Sequence, residues 1–296
     1  MRMHEIMGRA YESGIVVPAF NVPYLPMIEP VCRALVEADS FGLIAVARLE
    51  WIKFESRSQE AVATEYAKHK SDAHTGLHQD HVPVIDEDGL SVDYLADIRR
   101  ALELGFDSVM IDGSRLPLDG NIEATRRVCE AAAEFGVPVE GELGAVMGHE
   151  ADGIPDYETL FETGQGFTDP GEARRFVGET GVSWLSVAVG SVHGAISAAT
   201  KNQPKVRARL KIDHLQAIRE ATGIPLVLHG GSGIQTDDLL ASFRSGIAKI
   251  NIATDIRQPY ERARERSVGE AQEAVHRSVI EIVDRLGIAG SAKGMC

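Results

Sequence analysis

The stretch that decides the fold is residues 210–233, which read LKIDHLQAIREATGIPLVLHGGSG. Leu210–Thr222 has the apolar spacing of a helix, Gly223 follows at a position suited to a left-handed helix end, and Pro225–Leu228 is a short apolar run. This run leads into a polar, glycine-rich turn. A helix, a glycine, a strand and a polar loop in this order predict one unit of a parallel β/α fold.

The same unit recurs along the chain, with Gly105, Gly136, Gly181 and Gly246 also standing between a predicted helix and a predicted strand. The predicted strands are Val16–Phe20, Leu43–Ala47, Thr75–Gln79, Ser108–Ile111, Pro138–Leu143, Ser183–Val189, Pro225–Leu228 and Ala248–Ile252. The predicted helices are Met27–Glu37, Val92–Leu104, Asn121–Phe135, Pro170–Thr180, Leu210–Thr222 and Thr236–Ser245. Eight units predict an α/β protein with a (β/α)8 TIM barrel. Since no linker or compositional shift divides the chain, residues 1–296 are expected to form a single domain.

Composition excludes several classes of function. The chain has 296 residues with 44% hydrophobic and 25% charged residues, which is typical of a globular protein. A net charge of -14 argues against nucleic-acid binding, because phosphate neutralisation needs basic stripes. The cysteines Cys32, Cys129 and Cys296 are too few and too far apart for a disulfide framework. With no apolar run of membrane-span length and no signal peptide, the sequence predicts a soluble, cytoplasmic protein that binds no membrane.

Polar residues follow most of the predicted strands. In a parallel barrel the carboxyl ends of the strands meet at one mouth, so these side chains are expected to line a common cavity. Three histidines, His81, His193 and His229, come from three different strand ends. A single barrel histidine is usually a packing or loop residue, but three imidazoles around one open position are typical of a catalytic Zn²⁺ site. His78 and the remaining histidines are interpreted as core or surface residues.

The glycine-rich turn after the seventh strand brings backbone N–H groups and the Ser232 hydroxyl together ahead of a helix that begins near Thr236. Such a turn predicts a phosphate site at a helix N-terminus. A tight turn that needs glycine only for its backbone would have the same sequence. Two long irregular stretches, Ala145–Gly166 and Ser191–Lys205, are predicted to be the active-site loops that follow strands five and six.

Seven motifs in this order span nearly the whole chain. They begin at Val17, Leu77, Gly105, Val139, Gly190, His229 and Asn251, and they read VPAFNV, LHQDH, GFDSVMIDGS, VEGELG, GSVHG, HGGSG and NIATDIR. Together they resemble the motifs of the class II, metal-dependent ketose-bisphosphate aldolases, the family of the fructose-bisphosphate and tagatose-bisphosphate aldolases. The resemblance implies a barrel enzyme that cleaves a phosphorylated ketose into dihydroxyacetone phosphate and an aldehyde.

The resemblance also implies a metal site. His81, His193 and His229 would bind the catalytic zinc, and Glu142 and Asp112 would be further metal ligands, with Glu142 serving an alternate or second position. A second divalent ion and a monovalent cation are compatible with such a site. Zinc that coordinates the C2 and C3 oxygens stabilises the carbanion left by carbon–carbon cleavage, so no Schiff-base lysine is needed.

Two carboxylates carry the proton transfers that the resemblance implies. Asp80 would exchange a proton with the C4 hydroxyl, and Glu150, on a mobile loop, would exchange the C3 proton of the enediolate. One carboxylate for each proton meets the acid and base demand in both directions of the reaction.

A third set of residues is assigned to the substrate and its phosphates: Asn21, Gly194, Lys201, Gly231, Ser232, Asn251, Thr254, Asp255 and Arg257. Lys201 is offset by an insertion relative to the family's lysine. Arg257 would reach a distal phosphate, often across a dimer interface, and a surface salt bridge is the alternative role. A homo-oligomer, either a dimer or a tetramer, is expected.

The chain departs from the family after strand two, where residues 45–51 read AVARLEW in place of a Gln-x-Ser segment. Arg115 replaces the usual histidine, and residues 82–90 are longer than in compact members. We therefore expect an aldehyde product other than glyceraldehyde 3-phosphate. Two other functions fit the same barrel: a metal-dependent sugar-phosphate epimerase or isomerase, and a non-catalytic sugar-phosphate-binding protein. The presence of Asp80, Glu150 and all three histidines favours the aldolase.

Overall fold

A computed structural model describes residues 3–144, 157–191, 208–231 and 233–295 of the chain. Eight parallel strands form a closed barrel in which neighbours in sequence are neighbours in the sheet, and the last strand pairs with the first. The strands are β1 (Val17–Asn21), β2 (Gly42–Ala47), β3 (Thr75–Pro83), β4 (Ser108–Asp112), β5 (Val139–Leu143), β6 (Trp184–Val187), β7 (Leu226–Leu228) and β8 (Ile247–Ile252). The predicted (β/α)8 TIM barrel is confirmed.

Helices lie between the strands and pack around the barrel. They are α1 (Met3–Ser13), α2 (Ile28–Glu37), α3 (Arg48–Lys53), α4 (Gln59–His69), α5 (Tyr94–Glu103), α6 (Leu118–Ala133), α7 (Tyr157–Thr163), α8 (Pro170–Thr180), α9 (Ile212–Thr222), α10 (Thr236–Arg244), α11 (Thr254–Arg264), α12 (Val268–Leu286) and α13 (Ala292–Met295). None of these described helices combines the length and apolar character that crossing a membrane requires.

The helix-glycine-strand pattern is confirmed at every predicted position. The glycines that follow the helices all have positive φ angles, 81° at Gly105, 67° at Gly136, 73° at Gly181, 66° at Gly223 and 108° at Gly246. An L-residue with a Cβ rarely adopts this conformation, so glycine ends each helix and turns the chain into the next strand.

Several elements differ from the sequence-based expectation. Strand β3 continues to Pro83 instead of ending at Gln79, and the helices α3, α4, α11, α12 and α13 were not among those predicted. The predicted irregular stretch Ala145–Gly166 is wrong at Tyr157–Thr163, which forms α7; at 7 residues, this helix is too short to show a clear apolar period. Helix α1 was not predicted. Its Met3, Ile6 and Met7 are buried in one cluster with barrel residues such as Trp184, so α1 covers the amino-terminal end of the barrel. The functional groups are therefore confined to the opposite mouth.

Candidate active site

Asp80 and His81 are adjacent in sequence, yet both side chains lie in the cluster of polar groups at the carboxyl-terminal mouth of the barrel. Successive side chains of a regular strand point to opposite faces of the sheet. The pairing of β3 with β4 shifts register between Gln79 and Val82, and His81 has a φ of 26°, which is unusual for a residue with a Cβ. This irregularity in β3 lets two consecutive side chains serve one site, and backbone strain of this kind is concentrated at functional sites.

His81 and His229 meet across the mouth. The His81 Nε2 and His229 Nδ1 atoms are 2.6 Å apart, and the ring planes are nearly perpendicular at 84°. On its other side the His229 ring contacts Glu140, with 2.8 Å between Nε2 and Oε1. A carboxylate can only accept a hydrogen bond, so His229 carries its proton on Nε2 and presents the Nδ1 lone pair to His81.

The charges around the two rings agree with this assignment. Burial and the neighbouring His81 charge lower the pKa of His229 to about 4, which keeps that ring neutral. Burial opposes a charge on His81, but the charge of Asp80 and the hydrogen bond to Asp112 outweigh it and raise the pKa of His81 to about 10. A proton on His81 Nε2 therefore bridges to His229 Nδ1. A metal ion held by the same two nitrogens would take the place of that proton.

Glu140 is the buried anchor of His229. Its Oε2 atom accepts hydrogen bonds from Lys249 Nζ at 2.8 Å and from Trp184 Nε1 at 2.7 Å, while Oε1 binds His229. Burial alone would raise the pKa of Glu140, but the Lys249 ammonium and His229 hold it well below its ordinary value. Glu140 is thus a buried carboxylate with partners for both oxygens, and it fixes the tautomer of His229.

Asp80 lies between two asparagines. Asn21 Nδ2 donates to Asp80 Oδ2 and Asn251 Nδ2 donates to Asp80 Oδ1, both at 2.8 Å. Burial would raise the pKa of Asp80, but the charge of His81 and the His78 ring, whose Nε2 lies 3.7 Å from Asp80 Oδ1, hold it well below its ordinary value. Asp80 is therefore an ionised carboxylate in a fixed orientation, as a proton acceptor requires.

Asp112 and Glu142 face the second ring nitrogen of His81. His81 Nδ1 lies 3.2 Å from Asp112 Oδ2 and 3.7 Å from Glu142 Oε2. The backbone N and the hydroxyl of Ser114 hold the other oxygen of Asp112. Glu142 Oε2 is buried without a hydrogen-bond partner, and burial together with Asp112 raises the pKa of Glu142 well above its ordinary value. An orphaned buried oxygen beside an imidazole suits a cation.

Three groups of side chains within the described residues have the spacing of metal ligands: Asp80, His81 and His229; His81, Asp112 and Glu142; and His78, Asp80 and Glu140. The third group is poorly suited to a metal ion, because Lys249 already neutralises the charge of Glu140. The first group offers two imidazoles and a carboxylate, a donor set that zinc accepts. In the second, the hydrogen bond from His81 to Asp112 resembles the carboxylate-histidine pairs that orient metal ligands.

Comparison with known proteins identifies the family. A family model described as Fructose-bisphosphate aldolase class-II matches residues 1–290. The chain belongs to this family. The class II aldolase is 32% identical, over 98% of both chains, to a protein of Bacillus subtilis (strain 168) named "Probable fructose-bisphosphate aldolase". The resemblance seen in the seven motifs is confirmed, and the protein is an aldolase, a carbon–carbon lyase of a generally metal-dependent family.

Solved structures support the same assignment. The class II aldolase superposes on the YdjI aldolase from Escherichia coli K12 with a TM-score of 0.77 and 26% identity, covering 98% of each chain. It also shares its fold with the fructose-bisphosphate aldolase of Campylobacter jejuni, with a TM-score of 0.72, 18% identity and coverage of 97% of this chain and 94% of that one.

The class II aldolase brings some of its predicted phosphate residues to the mouth. Gly231 N donates to Asn251 O at 3.1 Å, which joins the turn after β7 to the end of β8. A Cβ on Gly231 would lie 2.5 Å from Ile250 Cγ1, so only glycine fits this approach. Thr254 begins α11 next to Asn251. The predicted residues Glu150, His193, Gly194, Lys201 and Ser232 lie outside the described residues.

Two predicted substrate residues are engaged elsewhere in the structure. Arg257 is buried, pairs with Glu261 at 2.7 Å and lies over the ring of Phe54. Asp255 pairs with Arg285 of α12 at 2.9 Å. Neither contact reaches the His81–His229 pair, so a role for these residues at a distal phosphate stays a prediction.

Proposed function

We propose that this class II aldolase uses zinc to cleave a ketose 1-phosphate or 1,6-bisphosphate reversibly into dihydroxyacetone phosphate and an aldehyde. The observation that carries the proposal is the His81–His229 pair, in which a buried carboxylate presets the His229 tautomer for metal binding. His193 would complete the ligand set. Bound zinc would supply a Lewis acid for the C2 and C3 oxygens of the substrate.

Proton transfer falls to the carboxylates of the chain. Asp80 is ionised and held by two amides, so it is ready to take the C4 hydroxyl proton during cleavage and to return it during condensation. Glu150 would protonate C3 of the enediolate. Gly231, Ser232, Asn251 and Thr254, together with Gly194 and Lys201, would hold the phosphate of dihydroxyacetone phosphate. The lone Glu142 oxygen and Asp112 would accept a second divalent ion beside His81.

The identity of the aldehyde depends on the residues that follow β2 and β4. Arg48 follows β2 where the family has a substrate-side hydroxyl, and it is paired with Asp97 at 3.1 Å. Arg115 donates to the Asp86 carbonyl oxygen at 2.9 Å. Because both arginines are engaged by acidic residues or backbone, we propose an aldehyde other than glyceraldehyde 3-phosphate. A preference for fructose 1,6-bisphosphate over all other ketose phosphates would contradict this.

Removal of the metal is expected to abolish cleavage, and added zinc is expected to restore it. A screen of ketose 1-phosphates and 1,6-bisphosphates, run with and without chelator, measures both the substrate and the metal requirement.

Borohydride added with substrate should trap no lysine adduct, because the carbanion is stabilised without a Schiff base. Chelator-resistant cleavage would contradict the proposal. If the metal-dependent reaction inverts the configuration at one carbon and releases no second product, the protein is an epimerase. If it binds the sugar phosphate tightly without turnover, it is a binding protein.

We also propose a cytoplasmic enzyme that forms a dimer or tetramer and in which residues 1–296 make up one domain. The acidic composition and the absence of a membrane-spanning helix among the described residues support this location. A requirement for a monovalent cation stays a prediction, and the same activity assay tests it.

A further inference from the structure

Lys249 is a charged residue inside the barrel. It lies on β8 and is 0% exposed, in an interior that apolar side chains usually fill. Its ammonium donates to Glu140 Oε2 at 2.8 Å and to Asn251 Oδ1 at 2.7 Å. Because β8 pairs with β1 and β7, the side chain must cross the barrel interior to reach Glu140 on β5. One buried cation therefore joins distant sides of the barrel.

One of these hydrogen bonds leads to the proposed proton acceptor. Asn251 is two residues after Lys249, so both side chains point to the same face of β8. The Asn251 amide accepts from Lys249 through Oδ1 and donates through Nδ2 to Asp80 Oδ1 at 2.8 Å. An ammonium can only donate and an ionised carboxylate can only accept, so both neighbours require the same orientation of the amide. Lys249 thus restrains a group that holds Asp80.

The other hydrogen bond leads to the candidate metal ligand. Glu140 accepts from Lys249 through Oε2, and its Oε1 atom lies 2.8 Å from His229 Nε2. No other lysine or arginine within the described residues forms an ion pair with Glu140. A single ammonium therefore contacts both the side chain that holds Asp80 and the side chain that holds His229.

Neutralisation of Glu140 does not by itself account for this arrangement. A buried ion pair is often no more stabilising than apolar residues of the same volume, because both charges lose their hydration. The bond from Lys249 to Asn251 adds nothing to the neutralisation of Glu140, but it fixes a side chain that contacts Asp80. This second bond indicates a role at the site.

We propose that Lys249 is a positioning residue that holds the Asn251 amide in the orientation in which it binds Asp80. The same ammonium keeps Glu140 on His229, so it sets the proton acceptor relative to the metal ligand. The proposal rests on the proposed function, in which Asp80 exchanges the C4 hydroxyl proton. Without the ammonium, Asn251 Oδ1 is a buried acceptor that has lost its donor, so the amide rotates away from Asp80 to find another.

The test compares two steps of one enzyme at saturating zinc and substrate. Cleavage of the ketose phosphate requires Asp80, whereas exchange of the C3 proton of dihydroxyacetone phosphate with deuterated water does not. Lys249→Met removes the ammonium and keeps an unbranched side chain of similar length. We expect it to slow cleavage about 10-fold more than exchange, within the range for residues that orient a reacting group. The loss is partial because Asn21 still donates to Asp80.

A matched variant separates positioning from stability. Glu140→Gln breaks the same ion pair but leaves Lys249 bonded to Asn251, so it should slow the two steps by the same factor. A double variant that combines both substitutions leaves neither charge of the pair unpaired, so it serves the comparison if Lys249→Met alone does not fold. Equal slowing of both steps in Lys249→Met or in the double variant overturns the positioning role, as does selective loss of cleavage in Glu140→Gln.

Neutron diffraction from deuterium-exchanged crystals keeps this result separate from the proposed function. It distinguishes amide nitrogen from oxygen, so it shows the orientation of Asn251 without substrate or metal. If wild-type enzyme cleaves no ketose phosphate, the function fails, but the diffraction experiment still decides the role of Lys249. We expect the Asn251 amide to donate to Asp80 in the wild type and to have turned away in Lys249→Met. An Asn251 Nδ2 that still donates to Asp80 in Lys249→Met overturns the inference, whatever the activity.

Discussion

Asp80→Asn is expected to lower kcat for cleavage by about 1,000-fold, in the middle of the range for loss of a general base. The substitution preserves shape but removes the charge that accepts the C4 hydroxyl proton. It also places a new amide against the two amide donors of Asn21 and Asn251, which now have one acceptor oxygen between them instead of two. The measurement is steady-state cleavage of the best ketose phosphate at saturating metal.

Two controls show whether that loss of kcat comes from the C4 proton transfer. Exchange of the C3 proton of dihydroxyacetone phosphate should persist in Asp80→Asn, since that step belongs to Glu150. Asp119→Asn removes an exposed carboxylate, one paired with Arg175, and should leave kcat almost unchanged. If Asp80→Asn retains cleavage within a few-fold of wild type, the residue does not move the C4 proton.

Glu140→Gln is expected to reduce the free energy of unfolding by about 3–5 kcal/mol, the usual effect of removing one partner of a buried ion pair. The change leaves the ammonium of Lys249 buried beside a neutral amide, with Asn251 Oδ1 as its remaining partner. It also frees the tautomer of His229, so metal affinity should fall about 10- to 100-fold. Urea unfolding and competition with a metal indicator measure the two effects.

The neighbouring glutamate on the same strand is a matched control for stability. Glu142 is also buried, but no lysine or arginine pairs with it among the described residues, and burial raises its pKa well above the ordinary value. Glu142→Gln therefore replaces an acid that is already inclined to be neutral and should change the free energy of unfolding much less. Equal losses in the two variants would contradict a stabilising role for the charge of Glu140 in its pair with Lys249.

The barrel could be predicted from the sequence because each unit carries its own local signals. The glycines after the helices have the positive φ that only glycine adopts readily, and short β-branched runs follow them. Helices α1 and α7 escaped prediction for different reasons. The apolar residues of α1 are buried by contacts with distant barrel residues, which local periodicity does not reveal, and α7, with 7 residues, is too short to show a period.

The candidate site could be predicted only in part. The positions of His81 and His229 at strand ends were visible, because strand ends of a parallel barrel converge. Glu140 and Glu142 are two residues apart on β5 and point to the same face, so sequence alone could not show that one binds His229 and the other is left beside His81. Lys249 stood inside a strand whose other residues, apart from Asn251, are apolar, a signal of a buried charge that the sequence analysis did not use.

The departure from the family after β2 was visible, but its meaning was not. The sequence showed only that a hydroxyl residue was missing there. That Glu50 turns back to accept a hydrogen bond from Ala47 N at the end of β2 depends on α3 beginning directly at Arg48, a boundary that the short strand gave no means to place.

The most direct test of the account is anomalous diffraction at the zinc absorption edge from crystals grown with stoichiometric zinc. The account predicts one ion within about 2.0–2.1 Å of both His81 Nε2 and His229 Nδ1, the normal zinc–imidazole distance, with His229 Nε2 still hydrogen-bonded to Glu140. An ion bound elsewhere, with the two histidine rings still hydrogen-bonded to each other, would contradict it.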